Sequence, residues 1–259
     1  MSFYYLAGLA ANLLTDSSVT FSGDADDPNF PHENVATGRP WEMMRFAAAG
    51  TDDYIHINSD SISPDFCSIH FHNIDSGITA IELRRGAAGG TLVATMTKAS
   101  PSFYATFSAV ADTDWRLKFV GTNTGGAIYI GEWVLGVKTT LARNQRWEWS
   151  IGYRMPQRRI MGPSGIVLAH NLSEQRLRSV QLPFGAITDA QLSEHLDDML
   201  DGCKWGEEPL VIVPDSGRNW VIHGRPDAEL LSSMIEVPTT GRWNDMIEVV
   251  EDPGPLIVK

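Results

Sequence analysis

The chain has 259 residues, a formal net charge of −12, 43% hydrophobic residues and 20% charged residues. That length leaves room for two domains of ordinary size, and the apolar share is enough for packed cores, which argues against wholesale disorder. The acidic balance argues against nucleic-acid binding, which needs clustered Lys and Arg, and no apolar run reaches the roughly 18 residues of a membrane span.

The opening MSFYYLAGLAANLL has a short apolar run but no basic leader, so it is expected to be mature structure rather than a signal peptide. Up to about residue 140, short segments with alternating or β-branched and aromatic character follow one another: SVTFSGD, DYIHIN, CSIHFHNI, TAIELRRG, TLVATMTK, FYATFSAV, WRLKFVGT and AIYIGEWVLG. Gly, Asn, Asp or Pro separates them, a spacing that predicts an antiparallel sandwich or jelly roll. GAAGGT after Arg85 and TNTGG after Gly121 read as hairpin-type connections. Between Asn29 and Asn58 the stretch NFPHENVATGRPWEMMRF has no obvious period, and it places Trp41 beside Arg39, Met43, Met44 and Phe46 on an expected loop.

Past GVKTTLARNQRWEW the character changes. RWEWSIGYR puts Trp147, Trp149, Ile151 and Tyr153 on one strand face, and GIVLAHNL and RLRSVQL follow as strands. One helix is expected over about 189–201, with Thr188 as N-cap, Gln191 completing a capping box, a stripe of Leu192, Leu196, Met199 and Leu200, and Gly202 as the stop. PLVIVPD, NWVIHGR, SMIEVP and MIEVVED return to strands, and the tail EDPGPLIVK is expected to run extended. The chain is therefore expected to be mainly β. Residues 1–140 form an N-terminal antiparallel jelly-roll β-sandwich, and residues 141–259 a smaller β-rich α+β domain with one helix, the boundary lying between Gly136 and Arg146.

Candidate chemistry is sparse. His70 and His72 share a strand face in SIHFHNI, but an H-x-H pair without a third ligand reads better as polar residues on a half-exposed face. Asp24, Asp26 and Asp27 in DADDP could offer calcium carboxylate oxygens, although a solvated turn is the better reading. Cys67 and Cys203 stand in no metal-ligand spacing, so reduced thiols and synthesis in a cytoplasm are expected. GPSGI around Ser164 is not a nucleophile elbow, Glu207 and Glu208 need not converge, and no phosphate-binding Gly pattern is present. No metal, cofactor or enzymatic activity is expected. Of the eight Trp, Trp115 and Trp133 lie inside alternating strands and are expected in the core. Trp41 and Trp205 lie on loops, where an exposed aromatic is a candidate contact.

In order, FPHENVATG, DDYIHIN, FCSIHFHNI and DWRLKFVGTNTGGAIYIGEWVLG resemble the discoidin or galactose-binding-like jelly roll. Pro31, Asn34 and Gly38 stand at its Pro-x-x-Asn-x-x-x-Gly loop. Ile55 and Ile57 stand at its w-I-x-I strand, with Tyr54 where Trp is usual, followed by Asn73, Gly131 and Glu132. The Cys pair of secreted members is missing. The second half, from RSVQLPFGAITDAQL to NWVIHGR, is similar to minor-tail and distal-tail-type proteins of long-tailed bacteriophages.

Together the two resemblances imply a structural subunit of a phage tail tip or baseplate. It would be made in the host cytoplasm and carried in the virion, forming a homo-oligomeric ring or adaptor between tail tube and tip with other tail proteins. Arg39, Trp41, Met43, Met44 and Phe46 would then form a contact loop at one end of the jelly roll, with Trp205 a second-half contact. The apolar Met43, Met44 and Phe46 favour protein contact there. The alternative is a carbohydrate-binding module meeting host surface glycans through an exposed Trp41.

Overall fold

The alternation read in the first half becomes two stacked antiparallel sheets in the computed structural model. It describes residues 3–86, 90–99, 102–140, 150–154, 157–161, 167–171, 177–187, 197–214, 220–226, 235–237 and 242–251. After β1 (Tyr4–Ala7) come β2 (Thr20–Gly23), β3 (Met44–Arg45), β4 (Tyr54–Ile62), β5 (Phe66–His72), β6 (Ile78–Arg85) and β7 (Thr91–Thr95). β8 (Thr97–Ala99), β9 (Ser102–Thr106), β10 (Asp112–Gly121), β11 (Tyr129–Gly136) and β12 (Thr139–Thr140) complete this half. One five-stranded sheet has the order β2-β4-β10-β6-β7 and the other β3-β11-β5-β9-β8, which is the expected jelly-roll sandwich. Ile55 and Ile57 of β4 and Trp115, Leu117 and Phe119 of β10 project into one core with Ile69, Trp133 and Leu135 of the second sheet.

The later strands are β13 (Ser150–Arg154), β14 (Gln157–Met161), β15 (Val167–Asn171), β16 (Leu177–Ile187), β17 (Leu210–Val213), β18 (Ile222–Pro226), β19 (Ile235–Val237) and β20 (Arg242–Glu251). β14 and β15 pair with each other; the rest enter an eight-stranded sheet ordered β12-β1-β17-β18-β20-β16-β13, with β19 on β20. β1 thus precedes the jelly roll in the chain but bonds within the second sheet, Tyr5 facing Ile212 on β17 and Thr139 on β12. A four-residue apolar strand such as Tyr4–Ala7 carries no sign of which sheet it joins.

Strand alternation now separates two layers. Tyr5, Leu210 and Ile212 face a core with Met199 and Cys203 of the helix α1 (Asp198–Gly202). Leu6, Val211 and Val213 face the other way, against Phe66, Tyr104 and Val134 of the jelly roll. The β3-β11-β5-β9-β8 sheet is therefore covered on both sides, which explains why β11 is buried almost throughout. It also corrects one expectation. His70 lies not on a half-exposed face but 1% exposed at the seam between the halves.

Within α1, Met199 and Leu200 are buried, and Gly202 occupies the last helical position rather than the position beyond it. Thr188, Gln191, Leu192 and Leu196, with most of the expected helix, lie outside the described residues, as do Trp147, Trp149, the 141–146 boundary stretch and the tail after Glu251. TNTGG is not a hairpin, since it carries the chain from β10 in one sheet to β11 in the other.

Candidate functional site

The loop before β3 is built from its base upward. Pro31 leads into a 3-10 turn, His32–Ala36. From it the Asn34 side-chain amide donates to the Met43 carbonyl at 3.0 Å, pinning the two ends of the 34–43 excursion together. Gly38 has φ +67°, and a Cβ there would come within 2.2 Å of Leu9 Cδ2, so glycine is required by conformation and by space. Its N–H donates to Glu132 Oε2 at 3.1 Å. Glu132, 1% exposed, also receives the Asn12 amide at 3.4 Å. A buried carboxylate held by donors in this way is a rigid floor for the loop.

Above that floor the loop turns at 39–42, where the Glu42 N–H donates to the Arg39 carbonyl at 2.8 Å and Arg39 Nη1 meets Glu42 Oε1 at 3.1 Å. Trp41, 50% exposed, stands between these two charged groups in sequence.

The structure divides the predicted contact residues. Arg39 and Trp41 are exposed at the tip and Met43 is half-buried behind them. Met44 and Phe46, expected on the contact surface, are 0% and 1% exposed. Met44 sits in β3, paired to Ile130 of β11, and Phe46 packs edge-on against Phe119 at 6.1 Å and His32 at 5.8 Å. A two-residue strand is too short to show a period in sequence, so its burial was hidden. Trp205 belongs to a separate 3-10 turn after α1, Lys204–Gly206. Its side chain lies outside the described residues.

The carboxylates of DADDP do not converge. Asp24 accepts the Tyr54 N–H at 3.0 Å, Asp26 accepts the His32 N–H at 3.1 Å, and Asp27 is paired with Arg45, which holds its carboxyl below the usual range. His70 is satisfied by Ser102 Oγ at 3.0 Å and Ser68 Oγ at 2.9 Å, and burial keeps its ring far below the usual histidine range. Among the described residues no three His, Cys, Asp or Glu side chains group as metal ligands would. Cys67 and Cys203 are free and buried, and burial pushes the Cys67 thiol up to about 12. A cavity at the seam, reaching Asn12, Glu132 and His223, has about 10 Å³ of free space, room for about one water and not for a sugar ring.

No family model matches the chain, and no curated protein matches it. Among solved structures it is similar to chitosan-binding module 1 of a chitosanase/glucanase from Paenibacillus sp. IK-5, at 16% identity over 49% of this chain and 97% of that one, TM-score 0.38. Module 2 of that enzyme, in complex with chitotriose, gives 15% identity over 46% and 96%, TM-score 0.38. The family 32 carbohydrate-binding module of C. perfringens NanJ, in complex with galactose, gives 18% identity over 48% and 95%, TM-score 0.38. At these scores the likeness carries no argument about ligand or partner, and the jelly-roll assignment rests on the strand pairing itself.

Proposed function

We propose that this protein binds saccharide without acting on it, through a platform made by Trp41 at the end of the jelly roll. One observation carries the reading: Trp41 is 50% exposed while Met44 and Phe46 are buried. The loop presents an aromatic ring flanked in sequence by an Arg–Glu pair, rather than the apolar surface expected of a subunit contact. An indole offers its face to the C–H side of a sugar ring, and Arg39 and Glu42 supply a donor and an acceptor for hydroxyls at its rim. The floor formed by Gly38 and Glu132 supports this by fixing the loop before ligand arrives, which lowers the ordering cost of binding. The apolar residues that favoured protein contact at this loop are reduced at its tip to Trp41 and part of Met43.

Galactose and chitotriose, held by two of the similar modules, are the first probes. Calorimetric titration is expected to detect one of them. Trp41→Ala should abolish that binding while moving Tm by no more than about 2 °C, as for a surface substitution. Unchanged sugar binding by Trp41→Ala would end the proposal. Rings of purified protein that disperse on the same substitution would instead return Trp41 to a contact between subunits.

A further inference from the structure

The Trp41 loop does not stand on the jelly roll alone. Its base residue Gly38 is packed by Leu9 and by Pro209: a Cβ there would meet Leu9 Cδ2 at 2.2 Å and Pro209 Cγ at 3.4 Å. Leu9 is in turn tied to the segment after α1. Its N–H donates to Glu208 Oε2 at 2.7 Å, and the Gly8 N–H donates to the Pro209 carbonyl at 2.9 Å. The other oxygen of Glu208 pairs with the Lys204 ammonium. A continuous chain of contacts, Gly38 to Leu9 to Glu208 to Lys204, thus runs from the foot of the Trp41 loop to the turn Lys204–Gly206.

The backbone of that turn is strained. Lys204 lies at φ +50° and Gly206 at φ +100°, so two left-handed positions flank Trp205. Glycine adopts that region freely, whereas a lysine persists there only where its surroundings hold it. Here the Gly206 and Glu208 N–H groups both donate to the Cys203 carbonyl, at 3.1 Å and 2.9 Å, and Arg225 donates to the Glu207 carbonyl. The held turn sets Lys204 outward, its side chain 63% exposed, with Glu208 behind it at 15%. The arrangement repeats the one at the loop tip. In both, a cation–carboxylate pair brackets a Trp in sequence: Arg39 and Glu42 around Trp41, Lys204 and Glu208 around Trp205. The cavity beneath Leu9 and Pro209 has about 10 Å³ of free space, so a ligand reaching from one turn to the other lies across the seam and not within it.

We infer that the Lys204–Gly206 turn is a second subsite of the Trp41 site, and that the ligand is an oligosaccharide chain laid across the seam. Trp41 and the turn contact different sugar units, and Lys204 supplies the donor for hydroxyls of the second. The inference rests on the saccharide-binding reading for the Trp41 end and adds chain length as the property the site selects.

The test is calorimetric titration of the full chain with two series, galactose against galactotriose and glucosamine against chitotriose. In the series that binds, the trisaccharide is expected to bind about tenfold or more tightly than the monosaccharide, the worth of one charge-assisted contact. Lys204→Gly should remove that gain and leave the monosaccharide affinity unchanged. Glycine suits the left-handed backbone, so this substitution takes away the side chain without straining the turn. Trp205→Ala tests the apex in the same way, and Trp41→Ala should abolish binding of both lengths. Equal affinity for monosaccharide and trisaccharide, or a trisaccharide affinity that neither turn variant lowers selectively, overturns the inference and leaves the Trp41 reading standing. Trisaccharide binding that needs the turn but survives Trp41→Ala overturns that reading and with it the shared site. A wild type that binds neither series overturns both.

Discussion

Gly38 sets the angle at which the Trp41 loop leaves the sandwich, because its backbone lies at φ +67° and its N–H is committed to Glu132. Gly38→Ala should destabilise the protein by about 1–2 kcal/mol, the cost of a side chain in the left-handed region. The added methyl must also displace Leu9. Urea unfolding measures the loss, and a midpoint unchanged from wild type would show that the loop relaxes freely. How far single residues were legible in the sequence varied. Trp115 and Trp133, set in alternating strands, are in the core as their spacing implied. Met44 and Phe46 were misplaced because a two-residue strand beside an irregular loop displays no period.

At the scale of elements, alternation located the jelly-roll strands well but could not say which sheet each joined. The TNTGG connection shows why. Gly- and Asn-rich segments turn a chain equally well within a sheet or between sheets, and here the crossing is fixed by a carboxylate from another loop. Asp75 accepts from the Gly77 N–H at 2.7 Å, the Thr124 hydroxyl at 2.6 Å and the Gly125 N–H at 2.7 Å, tying the loop after β5 to the loop after β10. These donors lower its carboxyl from the ordinary 3.8 to about 2. Because the folded value is the lower one, the stabilisation is complete above 3.8 and is lost as pH falls through about 2. Asp75→Asn should therefore be less stable than wild type at neutral pH, with the gap closing across that acid window. Thermal melts from pH 7 to pH 2 follow it; a gap that stays constant would assign the loss to packing rather than to the charge.

The whole molecule is held by its seam, where apolar Leu6, Phe66 and Val211 surround a buried polar strip. His70 lies there with its ring 5.1 Å from that of His223, and burial, His223, Arg178 and His72 all disfavour its charged form. In the unfolded chain the ring takes a proton near its ordinary 6.5. Unfolded protein then binds more protons than folded protein below that pH, so stability falls as pH falls, by up to about 1.4 kcal/mol per pH unit for one such ring. His70→Gln removes this proton from the balance, and the stability profile between pH 6.5 and pH 4.5 is expected to flatten by that amount. An unchanged slope would place the acid sensitivity on other groups. None of this was visible in SIHFHNI, since burial on both faces of a strand depends on a layer contributed more than a hundred residues later.

The pairing of β1 with β12 has a further consequence. Tyr5 and Thr139 are direct neighbours across a ladder, so the path into the jelly roll and the path out of it begin side by side. In topological terms the sandwich is an insertion into the second sheet, entered and left through one doorway. During synthesis its last core strand is complete at Gly136, whereas the first strand of the chain must wait for Leu210–Val213 before its other edge is covered. The sandwich can therefore form first and hold Tyr4–Ala7 near its final place, turning a closure across some two hundred residues into one of about seventy, from Thr140 to Leu210.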